Sequence, residues 1–167
     1  MNLHIPSYKM QKHLRFLREH ALRSLCHTSK HGCGILSGGR MTFFAINQPT
    51  RTVVDGIFIG CLHSEAACIR KCIRTEYRGK SKNYVVRKMK KKRLIIIRAN
   101  MDNSHDRAYS LSAPCNDCLK CIRQSGLNKI IFSTNDSLSK IAKVNTSGAA
   151  EKFIILYIYS KKWFKYL

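Results

Sequence analysis

The order of apolar and polar positions divides the chain into alternating helical and extended segments. Over residues 7–25, Met10, Leu14, Leu17, Ala21 and Leu25 recur at three- and four-residue steps, with Lys9, Lys12, Arg15, Arg18 and Arg23 on the other face. That spacing predicts an amphipathic helix with Ser7 as its N-cap. His31–Leu36 and Met41–Ile46 read as two strands joined by Ser37-Gly38-Gly39-Arg40, where glycine accepts the positive φ of a tight hairpin. Asn47-Gln48-Pro49 ends the second strand, and residues 50–62 read as a loop leading to His63. A helix is expected from about Ser64 to Glu76, with Ala67, Ile69, Cys72 and Ile73 inward.

Residues 79–93, GKSKNYVVRKMKKKR, hold eight basic residues and no acid, and read as a solvated charged connector because like charges repel. Leu94–Ala99 is branched and uninterrupted, as in a strand buried on both faces. Polar residues 100–112 form a loop, in which His105 and Asp106 could gate a pocket or simply be solvated. Pro114 opens a helix that runs to about Ser125, with Gly126 as its C-cap, and Lys129–Ser133 is a further strand. Residues 138–144 fit either a hairpin strand returning across Asn135-Asp136-Ser137 or part of a helix. Phe153–Tyr159 reads as a strand and leads into a basic-aromatic end, so that residues 153–167 form a distinct tail. With no internal repeat, the order predicts a single layered α/β domain over residues 1–167.

Charge adds a partner class. The chain has 31 Lys+Arg against 9 Asp+Glu, a net charge of +22 and a pI near 10.1. Such a field attracts polyanions: nucleic acid, nucleotides or an anionic membrane face. Enrichment in Lys, Ile, Asn and Tyr is also what an AT-rich coding sequence produces, so composition and function remain alternative sources of the charge. The apolar runs Leu94–Ile97 and Phe153–Tyr159 are far short of the roughly 20 residues that span a bilayer, and the first residues lack a secretory apolar stretch. The expectation is a soluble intracellular protein, cytoplasmic or nuclear, without a membrane partner. Its eight cysteines are then thiols, metal ligands or core residues rather than disulfides.

Two clusters carry chemistry, each where a loop enters a helix: His63-Ser64-Glu65 and Pro114-Cys115-Asn116-Asp117-Cys118. Cysteines three apart at a helix start point the same way, and the helix N-terminus favours their thiolates. With His63 they make three ligands for one zinc ion per chain, one short of a closed structural site. An open zinc site activates water at neutral pH. Glu65, two residues beyond the histidine, is better placed to move that water's proton than to ligate. Cys121 extends the cysteine run by one turn and reads as packing, as do Cys61, Cys68 and Cys72. His31 and Cys33 read as strand residues rather than a second metal pair.

His-x-Glu followed by Pro-Cys-x-x-Cys is the signature of zinc nucleobase deaminases, and the chain resembles the cytidine/deoxycytidylate deaminase superfamily. HGCGILSGGRMTFFAIN is similar to that family's first hairpin, HSEAACIRKCI to its first zinc helix, and SAPCNDCLKCIRQSGLNKIIFST to its second zinc helix and next strand. The likeness runs over about residues 12–134. It implies a three-layer α/β/α sandwich with a central mixed sheet of about five strands. It implies hydrolytic deamination at C4 of a cytosine ring, with Glu65 carrying the proton to N3 and then to the leaving amine. Asn47 would bond the sugar, although Asn before a turn is also an ordinary turn residue. The backbone N–H of Ala66 would bond the pyrimidine carbonyl, and Ser112 and Ala113 would line the base pocket.

The resemblance leaves the substrate open between a free cytosine nucleotide or nucleoside and a polynucleotide, single-stranded DNA or RNA. For the latter, Lys88, Lys90, Lys91, Lys92 and Arg93 are candidate backbone contacts, with the basic-aromatic tail as a stacking surface. Adenosine in tRNA and a non-catalytic zinc-containing nucleic-acid-binding protein are further readings; Glu65 argues against the last. In the superfamily, an antiparallel fifth strand after a short hairpin accompanies free-cytidine members, and a helix between parallel strands accompanies nucleotide and polynucleotide members. Free-cytidine members commonly have cysteine where this chain has His63, which points the other way. Family members often assemble, so a homo-oligomer is an expectation too.

Overall fold

The computed structural model describes residues 3–27, 29–54, 57–101, 108–135 and 141–145. The tail at 153–167, and His105 and Asp106, lie outside the described residues. In chain order the elements are β1 (Leu3–His4), α1 (Tyr8–Leu22), β2 (Lys30–Ser37), β3 (Arg40–Ile46), β4 (Gln48–Val54), β5 (Ile57–Leu62) and α2 (Ser64–Glu76). There follow α3 (Lys82–Met89), β6 (Arg93–Ala99), β7 (Tyr109–Ser110), α4 (Asn116–Ser125), β8 (Lys129–Ser133) and β9 (Ile141–Asn145).

β6 is the centre of the molecule, and its alternation generates the layers. Leu94 and Ile96 face one side and Ile95, Ile97 and Ala99 the other, all of them buried. On the first side they meet Cys68, Ile69 and Cys72 of α2, Val85 and Met89 of α3, and Leu119 and Ile122 of α4. On the second they meet Leu14, Leu17 and Ala21 of α1. The result is a three-layer α/β/α sandwich. Its sheet runs β1-β9-β8-β6-β2-β3, with β7 added to β6. β6 and β8 are parallel and the other pairs antiparallel, so the five long strands form the mixed sheet that the resemblance implied.

Ser7 caps α1 by accepting from the Met10 N–H at 3.4 Å. Gly126 is the C-cap of α4 with φ +91, and a Cβ there would lie 2.6 Å from the Val86 carbonyl oxygen. Glycine is therefore required both for the left-handed turn and for seating α3 against the end of α4.

Three segments differ from the sequence reading or decide it. Residues 50–62 are not a loop: β4 and β5 pair antiparallel as a separate two-stranded sheet. The missed signal is Asp55-Gly56 between two β-branched runs, the short-range mark of a hairpin. Of residues 138–144, those described, 141–144, adopt the strand alternative, with Ser133 opposite Ile141 and Lys129 opposite Asn145 in the β8–β9 pair. The link 134–140 is too short for the crossover of a dozen or more residues that a parallel return needs.

The third is the basic segment. It is no connector: Ser81 caps α3, and Val85 and Met89, four residues apart, give the helix a buried stripe. Lys92 is buried too, at 5% exposure, and its Nζ meets both Glu76 oxygens, Oε2 at 2.8 Å and Oε1 at 3.0 Å. Lys92 is thus a core ion-pair residue and not a contact for nucleic acid. Burial pushes the Glu76 carboxyl up, but hydrogen bonds from Lys92 and Tyr77 hold it below the usual range. Glu76→Ala leaves a buried ammonium without its partner and should cost about 2–3 kcal/mol, whereas Lys92→Met removes the buried charge and should cost less. A carboxyl held low contributes stability that is present above its unfolded pKa of about 4.3 and lost as pH falls through the lower folded value. Urea unfolding of Glu76→Ala should therefore show its full deficit at pH 7 and approach the parent at pH 3.

Candidate metal centre

Both helices that carry the clustered residues begin at the same end of the sheet. α4 connects the parallel strands β6 and β8, which requires its N-terminus to lie beyond their C-terminal ends. Ser112 closes that end: its N–H donates to the Ser133 carbonyl at 3.1 Å and its hydroxyl to the Ile96 carbonyl at 2.8 Å. Three residues later Cys115 is the N-cap of α4, and His63 is the N-cap of α2, and neither side chain makes a capping bond.

Those side chains turn to one another instead. His63 Nδ1 lies 3.3 Å from Cys118 Sγ and 3.5 Å from Cys115 Sγ, and all three ligand atoms lie within 4.8 Å of one another. A tetrahedral zinc with Zn–N of about 2.05 Å and Zn–S of about 2.3 Å sets N···S at about 3.6 Å. The cluster fits that geometry, and His63, Cys115 and Cys118 are positioned to hold one zinc ion.

The electrostatics agree. Hydrogen bonds from Cys118 and His63 lower Cys115 to about 3. Cys118 is raised because its S–H donates to Cys115, and because of burial and the neighbouring Glu65 charge. Hydrogen bonding to Cys115 raises His63 against the opposing effect of its burial. A proton therefore sits among three ligand atoms, and a divalent cation takes its place when ligands bind metal as thiolates.

Glu65 is 5% exposed and its Oε2 accepts from Ser64 Oγ at 3.0 Å, with the carboxyl also reaching Cys118. Ala66 is next in the first turn of α2, where backbone N–H groups lack an intrahelical acceptor. Two expected substrate contacts are instead engaged by the protein. Asn47 is 3% exposed: Oδ1 accepts from the His31 N–H at 2.8 Å and Nδ2 donates to the Ser29 carbonyl at 2.8 Å, tying the end of β3 to the start of β2. The Ser112 hydroxyl also accepts from the Ser133 N–H at 3.0 Å and pairs with Ser133 Oγ at 2.9 Å. Ala113 is half-buried and packs against the core on the α2/α4 side.

Cys121, Cys68 and Cys72 are core residues, as expected, and Cys61 Sγ lies against Cys26 Sγ at 3.2 Å, both as free thiols. Of the basic candidates, Lys88, Lys90, Lys91 and Arg93 cluster where β6 begins, whereas the ligands sit where it ends. The sequence reading missed His31 as a neighbour of the site. It pairs with Arg98 in the β2–β6 register on the face of Cys33, and burial, then Arg98 and His63, lower its imidazole to about 4. The alternation of Cys33 and Ile35 toward α2 could have revealed that direction.

The profile of the family described as "Cytidine and deoxycytidylate deaminase zinc-binding region" matches residues 7–134. Among solved structures, the chain is similar to cytidine deaminase from Burkholderia pseudomallei at TM-score 0.54 and 10% identity, covering 84% of this chain and 94% of that one. It is also similar to dCMP deaminase from the cyanophage S-TIM5, solved with dCMP and dUMP, at TM-score 0.49 and 18% identity, covering 77% and 83%. At these identities the first likeness is one of fold. No curated protein matches the sequence.

Elemental analysis of purified protein should find one zinc per chain. Cys115→Ala and Cys118→Ala should each reduce bound zinc by more than about tenfold, and Cys121→Ala should leave it unchanged.

Proposed function

The chain belongs to the cytidine and deoxycytidylate deaminase zinc-binding family, and on that premise we propose that it hydrolytically deaminates cytosine in a free nucleotide or nucleoside. The observation that carries the choice of a free substrate is the antiparallel return of β9 along β8. In the superfamily that arrangement goes with members acting on free cytidine. The histidine at position 63, where such members commonly have cysteine, keeps a mononucleotide such as dCMP beside the nucleoside. The rival polynucleotide reading drew on the net charge, the basic segment 79–93 and the basic-aromatic tail, and the remoteness of the segment from His63, Cys115 and Cys118 weakens one of those three supports.

Bound zinc would supply an activated water at neutral pH. The chain's own part in the reaction falls first to Glu65. Its buried carboxylate, steadied by Ser64 Oγ, takes the proton from the attacking water and delivers it to N3 of the base. It then takes the second proton of that water from the hydroxyl now on C4 and passes it to the exocyclic amine, which leaves as ammonia as the C4–N bond breaks and the C4 carbonyl forms. Proton transfer by a positioned carboxylate contributes about 10²–10⁴-fold. The Ala66 N–H, at the positive end of α2, donates to the pyrimidine carbonyl, and Ala113 gives the base an apolar wall. Asn47 acts by holding the β2 and β3 ends in register, and any hydrogen bond to a sugar needs one of its amide's present partners to yield.

Ammonia release should be measured with cytidine, deoxycytidine, dCMP, single-stranded DNA and tRNA. The expected result is turnover of a nucleoside or dCMP and none of the polymers; turnover of a polymer alone overturns the reading. Glu65→Gln should retain zinc and thermal stability while turnover falls about 10²–10⁴-fold. Zinc retained with turnover intact would place the proton shuttle elsewhere.

A further inference from the structure

The exposed basic residues of the segment 79–93 lie at the end of the molecule away from the metal ligands. Arg93 opens β6, and in the register that pairs Leu94 with Ile130 it falls beside Lys129, which opens β8. Lys90 and Lys91 form the turn just before β6, and Lys82 and Arg87 project from α3, which packs against the C-terminal end of α4. All six are exposed. The zinc ligands lie at the opposite ends of β6 and α4, so the separation is about 20 Å along the strand and about 15 Å along the helix.

Ordinary protein surfaces intersperse both signs of charge. Here the acid of this end, Glu76, is already neutralised by buried Lys92. Residues 77–101 add no other acid, so among the described residues the six cations have no local counter-ion. Tyr84 stiffens the cluster: Arg87 and Lys88 stand over its ring at 5.6 and 5.4 Å, and Tyr77 meets its edge at 6.3 Å.

We propose that this end of the molecule is a docking surface for the phosphate backbone of a nucleic acid, separate from the base-binding site and not a path into it. An anionic membrane is the less suited polyanion. The apolar stripe of α3 is turned into the core, and none of the exposed large apolar side chains of the described residues falls in 72–93 or 116–133. Nothing there can insert between lipid headgroups, whereas a row of point charges on fixed elements suits a repeating phosphate chain. Docking here leaves the zinc end free, so the surface works whichever form of cytosine is deaminated.

The test uses the zinc-loaded full chain and a single-stranded oligonucleotide of thymidine only, which offers the active site no cytosine. Engagement of six cations predicts a log–log salt slope of about −4, hence a loss of about 300-fold in affinity between 50 and 200 mM salt. A variant with Lys82→Ala, Lys90→Ala, Lys91→Ala and Arg93→Ala should bind weakly, with a loss of only about 7-fold over the same range. A second variant, Arg15→Ala, Arg23→Ala, Arg70→Ala and Lys120→Ala, removes the same number of exposed charges outside that end and should bind like the parent. Saturating cytidine or dCMP should not displace the oligonucleotide. Equal losses in both variants would reduce the effect to net charge and overturn the proposal. So would displacement by the nucleotide, or binding to phosphatidylserine vesicles without binding to the oligonucleotide. Because binding is read directly, a failure to deaminate any substrate leaves this result intact.

Discussion

The parallel pairing of β6 with β8 is the constraint on which the rest of the molecule depends. Two parallel neighbours need a crossover, and here the crossover is α4, whose N-terminus must therefore lie at the C-terminal ends of both strands. Cys115 and Cys118 are placed there by topology before any side chain is chosen. α2 packs beside α4 on the same face and starts at the same end, which brings His63 within 3.5 Å of both sulfurs. Ser112 and Ser133 lock this end by exchanging backbone and hydroxyl bonds between the strand termini. The metal centre is thus a consequence of strand direction, with the hydroxyl network fixing its height.

The same strand direction separates two kinds of charge. Acidic Glu65 and the thiols gather where β6 ends, while Arg93 and Lys129 stand where β6 and β8 begin. A field of +22 spread evenly would draw any anion to any part of the surface. Here exposed cations instead concentrate at the starts of β6 and β8, away from the metal ligands. The buried Lys92–Glu76 pair sharpens that division by cancelling the acid of the basic end from within the core.

Much of this was legible in the residues because the features concerned are local. The motif pairs named the metal ligands and Glu65, the branched run Leu94–Ile97 marked the central strand, and Gly126 marked the helix end. What stayed illegible depended on partners distant in sequence. Lys92 looks solvated until Glu76, sixteen residues earlier, is brought against it by the α2–β6 packing. Val85 and Met89 are two apolar residues in a basic block, too few to announce a helix without the α4 surface they cover. Asn47 and Ser112 have polar side chains that suit a ligand, and only the strand register shows them bonded to His31, Ser29, Ile96 and Ser133. Asp55-Gly56 is the exception, a local hairpin signal masked by the expectation of a loop before the histidine.

The choice of capping residues shows that stability is traded against ligation in this chain. α1 and α3, which carry no metal-centre residue, begin with Ser7 and Ser81, and both serines accept from the backbone as caps should. α2 and α4 begin instead with His63 and Cys115, which make no capping bond. A missing cap costs a helix about 1 kcal/mol, so both site helices are weakened at the ends that must meet. Substituting serine at either position would restore the cap and lose a ligand. Their N-termini also leave positive dipole ends pointing at two thiol groups, which favours thiolate. The close ligand atoms share a proton, and ligation by a divalent cation would displace it. Metal affinity and the stability of this edge of the sandwich are in that sense one quantity, since the free energy of ligation stabilises the folded arrangement in which the ligands are already assembled.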